Sequence, residues 1–108
     1  MFLVDTNVFL EILLGQEKME LCQQFINEKK GNIYISDFSL HSIGVILFRY
    51  KKSEIFQSFI DDVLDKIKIV TLSKNNYNFI PDVNKKHNLD FDDSYQYMIA
   101  KENGFTLV

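Results

Sequence analysis

Phe2-Leu3-Val4-Asp5-Thr6-Asn7-Val8-Phe9-Leu10 opens the chain, and its reading decides the fold. Phe2 to Val4 is an apolar run too short for a helix, whereas Val8, Leu10, Ile12 and Leu13 fall near a helical spacing. The stretch is therefore a buried strand feeding a helix through the polar turn Asp5-Thr6-Asn7. Gly15 breaks that helix, and Met19, Cys22, Phe25 and Ile26 form a second apolar face that stops at Glu28-Lys29-Lys30-Gly31. Cations followed by a glycine are the usual chemistry of a helix C-terminus. Ile33-Tyr34-Ile35 is a second strand, followed by Ser36-Asp37 as the cap of a helix reaching Phe48. Ser53 is the expected cap of another, with Ile55, Phe56, Phe59, Ile60, Val63 and Leu64 on one face.

The remaining third repeats the alternation. Ile67 to Leu72 is a third strand, and Ser73 is the expected cap of a helix whose first part is Lys74 to Phe79. Pro81 lacks an N–H and so kinks that helix or begins a new one. Leu89-Asp90-Phe91-Asp92-Asp93 precedes a helix over Ser94 to Glu102, which Asn103-Gly104 stops before a fourth strand, Phe105 to Val108. Parallel neighbours need crossover connections, so the alternation predicts an α/β fold, a three-layer α/β/α sandwich on a central parallel sheet of about four strands. No linker or repeat divides the sequence, and one domain is expected over residues 1–108.

Composition narrows the partners. Hydrophobic residues make up 46% and charged residues 25%, a globular balance, and the formal charge of −3 excludes a wholly basic nucleic-acid-binding surface. The single cysteine, Cys22, excludes an intrachain disulfide and a cysteine-based metal cluster, which fits a reducing compartment. Asp5, Asn7 and Glu11 interrupt the apolar start, which has no basic leader and cannot span a bilayer. A cytoplasmic protein without a membrane partner is expected.

In a parallel sheet, ligands sit beyond the carboxyl ends of the strands. Asp5 ends the first strand, and Asp90, Asp92 and Asp93 open a late helix that is able to face the same edge. Converging carboxylates suit a hard divalent cation, which takes oxygen ligands and keeps several waters. The chemistry to expect there is phosphodiester hydrolysis. The same residues also have a purely structural reading, since aspartates cap helices and favour the positive end of the helix dipole. Thr6 and Asn7 either orient Asp5 or simply satisfy the turn.

Val4-Asp5-Thr6-Asn7 with its apolar helix, together with Leu89-Asp90-Phe91-Asp92-Asp93-Ser94 and Ile99-Ala100, resembles the PIN domain and, more loosely, the VapC-like toxins within it. The likeness extends over the whole chain in its order of elements. It implies an α/β/α sandwich that cleaves RNA with Mg²⁺ or Mn²⁺ held by several acidic residues. Carried over, it assigns Asp5 and Asp93 as catalytic residues and metal ligands, with Asn7, Asp90 and Asp92 as auxiliaries. It further implies an antitoxin protein partner and a homodimer formed by the pair of helices around Phe48, Tyr50, Phe56 and Phe59.

Two positions depart from the family. Where the family usually places a glutamate, on the helix after the second strand, Ser39-Leu40-His41-Ser42-Ile43 aligns Ser42, with His41 beside it as a candidate ligand, base or phosphate contact. The family also continues past the fourth strand to a further acid, so this chain is either cut short at its carboxyl side or lacks that ligand. The leading expectation is a metal-dependent endoribonuclease, the toxin of a toxin–antitoxin pair. The alternative is a catalytically degenerate PIN-like module that binds a partner. A phosphoryl-accepting receiver fails because Ile67 to Ser73 contains no aspartate, and an Asp-x-Asp phosphatase fails because Asn7 stands two residues after Asp5. Arg49 with Lys51-Lys52, and Lys85-Lys86, are short cationic clusters that either guide an RNA backbone or solvate the surface. His87 belongs with the second as a solvated helix end. The other aromatics, Tyr34, Phe38, Tyr77, Phe79, Phe91, Tyr95, Tyr97 and Phe105 among them, are expected mostly in the core.

Overall fold

The computed structural model describes all 108 residues. In chain order the elements are β1 (Phe2–Leu3), α1 (Thr6–Leu13), α2 (Met19–Glu28), β2 (Ile33–Ser36), α3 (Asp37–Arg49) and α4 (Ser53–Asp62), then β3 (Lys68–Val70), α5 (Ile80–His87), α6 (Phe91–Asn103) and β4 (Thr106–Leu107). Short 3-10 turns cover Leu64–Lys66 and Lys74–Phe79. The strands form one sheet in the order β3-β2-β1-β4, all neighbours parallel, with Phe2 opposite Ile33 on one side and Thr106 on the other. This is the α/β sandwich expected from the alternation of elements.

Successive side chains of β1 and β2 enter opposite layers. Leu3 packs with Leu72, Ile80, Val83, Tyr95, Met98 and Ile99 under α5 and α6, and Tyr34 leans on the same group. Val4, Ile33 and Ile35 pack with Phe9, Leu10, Ile43, Leu47 and Phe59 under α1, α3 and α4. Because both faces are covered, the inner strands read as unbroken apolar runs and not as an apolar–polar alternation. No helix is long and apolar enough to cross a membrane.

Helix starts account for most departures from expectation. The helix expected from Ser94 begins at Phe91, because the Asp90 carboxylate accepts the Asp93 backbone N–H at 2.9 Å and caps it there. Asp92 and Asp93 consequently lie inside the first turn. Lys52, not Ser53, occupies the cap position of α4 and makes no side-chain cap bond, so Ser53 is already helical. The Ser73 side chain also caps nothing; its N–H donates to Glu102, and Asn76 donates to the same carboxylate, holding Lys74–Phe79 as a 3-10 turn. The Ser73 hydroxyl foremost, then the Asn76 amide and the Ser73 N–H, keep the Glu102 carboxyl below its ordinary range. Pro81 sits in the first turn of a new helix, α5, and Asn88 ends it in the left-handed region at φ 54°. Helix α2 has no buried residue and no side-chain cap; its half-buried Phe25, edge-on to Phe2 at 5.4 Å, and Ile26 pack against the core.

Not all the aromatics are core: Phe48, Tyr50, Tyr77, Phe79 and Phe91 are exposed, while Phe9, Phe59 and Tyr95 are buried. Phe59 meets Phe9 edge-on at 5.6 Å and is the one fully buried side chain that α4 contributes. Phe59→Ala is expected to cost about 3–5 kcal/mol in urea unfolding, and a loss below about 1 kcal/mol would show that α4 is not seated on this core.

Candidate functional site

The sheet order places Asp5. From β1 the chain moves outward on one side to β2 and β3, whereas β4 lies on the other side of β1, so the winding reverses just past the carboxyl end of β1. Such a reversal opens a crevice between crossovers that leave on opposite faces. Asp5 stands there in extended conformation, half-buried. Its N–H donates to the Val108 carbonyl at 3.0 Å, and its carboxylate accepts the Asn7 backbone N–H at 3.1 Å. Asn7 thus orients Asp5 through its main chain. Asp93 arrives from the other layer. Helix α6 delivers the chain to the start of β4, so it runs antiparallel to the strands and begins at their carboxyl edge.

The two acids stand at the same edge of the sheet, and the charge of Asp5 acts on Asp93. The Asp93 carboxyl is held above its ordinary value of 3.8, first by partial desolvation and then by the negative charges of Asp90, Asp5 and Asp92. Every charge acting on it is acidic, and one of them belongs to a residue at the far end of the chain. The convergence is narrower than four carboxylates: no three of the His, Cys, Asp and Glu side chains gather as a group able to hold a metal ion. Asp90 has its carboxylate engaged in the cap, and consecutive helical side chains diverge by about 100°, which turns Asp92 away from the direction Asp93 takes. What remains is a pair of hard oxygen donors with unrelieved mutual repulsion, a donor set that suits Mg²⁺ or Mn²⁺.

Behind this pair lies a polar contact that the sequence did not reveal. Thr6 Oγ1 donates to Ser39 Oγ at 2.8 Å, and Gln96 Nε2 donates to the same oxygen at 3.2 Å. Ser39, fully buried, thereby ties the first turn of α1 to α3 and to α6 one turn beyond Asp93. Gln96 is 5% exposed, and its Oε1 has no partner. Ser42 is half-buried and lies one turn beyond Ser39 on α3. His41 is exposed and lines the groove between α3 and α4 with Leu40, Gly44, Phe48 and Phe56, on a different face from Ser39. His87 packs against Tyr97 at 4.9 Å on the far side of α6. A periodicity argument has no means of finding Ser39 and Gln96, since each looks like an ordinary polar residue in an apolar helix.

Two outcomes follow from this geometry. Folding makes Asp93 bind its proton more tightly than the unfolded chain does, so the group's contribution favours the fold at low pH and is lost as pH rises through the interval above 3.8. Removing the facing charge in Asp5→Asn is expected to move the Asp93 midpoint down in a carboxylate-resolved NMR titration; an unmoved midpoint would separate the two acids. Ser39→Ala leaves the Thr6 hydroxyl and Gln96 amide without their shared acceptor, at an expected cost of about 1–3 kcal/mol. Combining it with Gln96→Leu should cost less than the sum of the single changes, and strict additivity in the double-mutant cycle would deny the coupling.

Solved structures share this architecture. A chain of a toxin–antitoxin complex from Klebsiella pneumoniae superimposes with a TM-score of 0.80 at 16% identity, covering 99% of this chain and 83% of that one. VapC20 of Mycobacterium tuberculosis, a Sarcin-Ricin loop cleaving toxin, superimposes with a TM-score of 0.81 at 13% identity, covering 97% of this chain and 85% of its own. No curated protein sequence matches. The family profile of the PIN domain aligns with residues 2–108, and the chain belongs to the PIN domain family.

Proposed function

We propose that this chain is a metal-dependent endoribonuclease, the cytoplasmic toxin of a toxin–antitoxin pair. The observation that carries the reading is that Asp5, at the end of β1, and the start of α6 with Asp93 share the carboxyl edge where the sheet order reverses, with the charge of Asp5 raising the proton affinity of Asp93 in support. Membership of the PIN family supports nuclease chemistry, and the likeness to a toxin that cleaves the Sarcin-Ricin loop supports RNA as the substrate class. Asp5 and Asp93 hold Mg²⁺ or Mn²⁺, with Asp90 and Asp92 as flanking charges. The ion supplies charge against the phosphate and acidifies water. The reaction adds water to phosphorus and breaks a P–O bond, with the proton of the water ending on the departing alcohol. The Asn7 N–H keeps the Asp5 carboxylate turned toward the crevice, and the Thr6–Ser39–Gln96 contact holds α1, α3 and α6 at the spacing that the pair requires. Ser42 and His41 are auxiliaries at most of substrate contact. An antitoxin and a second copy of the chain are the proposed protein partners, and the exposed Val45, Phe48 and Tyr50 along α3 suit such a contact.

A second reading, a PIN fold kept for binding alone, draws on one specific observation: only a pair of acids meets where the family uses more, and Ser42 replaces a glutamate. Mn²⁺ calorimetry on the purified chain and on folded Asp93→Asn separates the two. The nuclease reading expects binding that Asp93→Asn abolishes. It also expects cleavage of single-stranded RNA to fall at least roughly 100-fold in Asp5→Asn or Asp93→Asn, more than the loss of an outer-shell partner costs. Metal-dependent cleavage retained in the Asp5→Asn/Asp93→Asn double variant would sink the mechanism, and no Mn²⁺ binding by the unaltered chain would favour the binding module.

A further inference from the structure

Gln96 carries a buried polar atom that the fold leaves unused. The residue is 5% exposed, and no group of the chain donates to its Oε1. Its Nε2 is engaged: it donates to Ser39 Oγ at 3.2 Å, and Thr6 Oγ1 donates to the same oxygen at 2.8 Å. Met98, Ile99 and Ala100, the buried residues that follow it on α6, are apolar. Burial alone therefore asks for an apolar side chain here, and an amide with its oxygen unmatched costs the fold what a leucine would not.

The place of that amide is set from two sides. Thr6 directly follows Asp5, and Gln96 is linked to Thr6 through the Ser39 hydroxyl. On α6, Gln96 stands three residues after Asp93, about 4.5 Å further along the axis and about 60° around it, so both project from the same face. Helical side chains tilt toward the amino terminus of their helix, which leans Gln96 over the turn that carries Asp93. The amide is thus tied to the segment of one acid and lies over the turn of the other.

What suits this oxygen is a hydrogen-bond donor that arrives with a cation. A hard divalent ion held by two carboxylates keeps several waters, and water on such an ion is acidified and donates strongly. Set one turn behind Asp93, the amide oxygen is placed for a water on the ion and not for the ion itself. A neutral acceptor also adds no charge to a pair of acids that already repel.

We propose that Gln96 is a positioning residue of the cation site: its Oε1 accepts a hydrogen bond from a water on the ion held by Asp5 and Asp93, while Ser39 fixes the other end of the amide. The inference rests on the metal-dependent reading above and deepens it.

Mn²⁺ calorimetry on the full chain tests it with two variants. Gln96→Leu is expected to weaken binding roughly tenfold, the scale of a lost outer partner of a metal site. Gln96→Glu keeps an oxygen at the same reach and adds a charge, and is expected to bind Mn²⁺ at least as tightly as the unaltered chain. Both variants lose the N–H that reaches Ser39, so a residue that only ties α6 to α3 makes them alike. Equal weakening in both, or unchanged affinity in Gln96→Leu, overturns the inference. In NMR of the unaltered chain, the Gln96 side-chain carbonyl carbon is expected to shift on saturation with Mg²⁺ and to stay in place in Asp93→Asn. An unmoved resonance with the ion bound overturns the inference without use of either variant, and decides it if Gln96→Glu does not fold. In these outcomes the acids still bind the ion, and the nuclease reading stands. No Mn²⁺ binding by the unaltered chain overturns this inference and the metal-dependent reading together.

Discussion

A parallel sheet cannot be closed by tight turns: each strand ends at the edge opposite to the start of the next, so every connection has to carry the chain back across a face. The helices do this here, and the obligation decides where they begin. Helices α1 and α3 leave the ends of β1 and β2, and α6 travels back to deliver β4, so all three start at the carboxyl edge. Asp5, Ser36 and Asp90 cap them there through their side chains. The positive ends of three sets of peptide dipoles consequently face one crevice, which favours acidic residues in it even before any cation is considered. In this molecule the residues that end helices and those of the candidate site are partly the same, and Asp5 has both positions at once.

That overlap explains how far the sequence carries. The strands, their order along the chain and the two-sided burial were legible from Phe2 to Val4, from Ile33 to Ile35 and from the alternation with helices, because a fully buried strand has few alternatives in a short apolar run. Asp5 was legible as the end of a strand. The start of α6 was misplaced by three residues because Asp90, Asp92, Asp93 and Ser94 are all plausible caps, and only the bond made by Asp90 chooses among them. The distribution of exposed rings was legible only in part, at Phe48 and Tyr50. Phe59, on an apolar helical face, is enclosed against Phe9 of α1, whereas Phe91, set between Asp90 and Asp92, is exposed with its ring over Tyr95.

Ser39 and Gln96 belong to a different order of information. Their contact joins residues whose separation in sequence is 57, and nothing local at either position announces it. Through the Ser39 hydroxyl, α3 is registered against α1 and α6 by neutral hydrogen bonds. The buried Gln96 Oε1 marks where this network is incomplete, since a buried acceptor without a partner is a local cost to the fold.

Helix α2 stands at the other extreme of attachment. With no buried side chain and no side-chain cap, it is held by the half-buried Phe25 and Ile26 and by its packing along α1. Segments of this kind open with free energies well below that of global unfolding, while strands and their covering helices stay closed. The amides of α2 are accordingly expected to exchange before those of the inner strands, and its departure would uncover the flank of Phe9 and Phe59. The chain thus separates its most labile surface from its chemistry, and a protease that recognises transient opening would begin at a place where the acids at the sheet edge are still assembled.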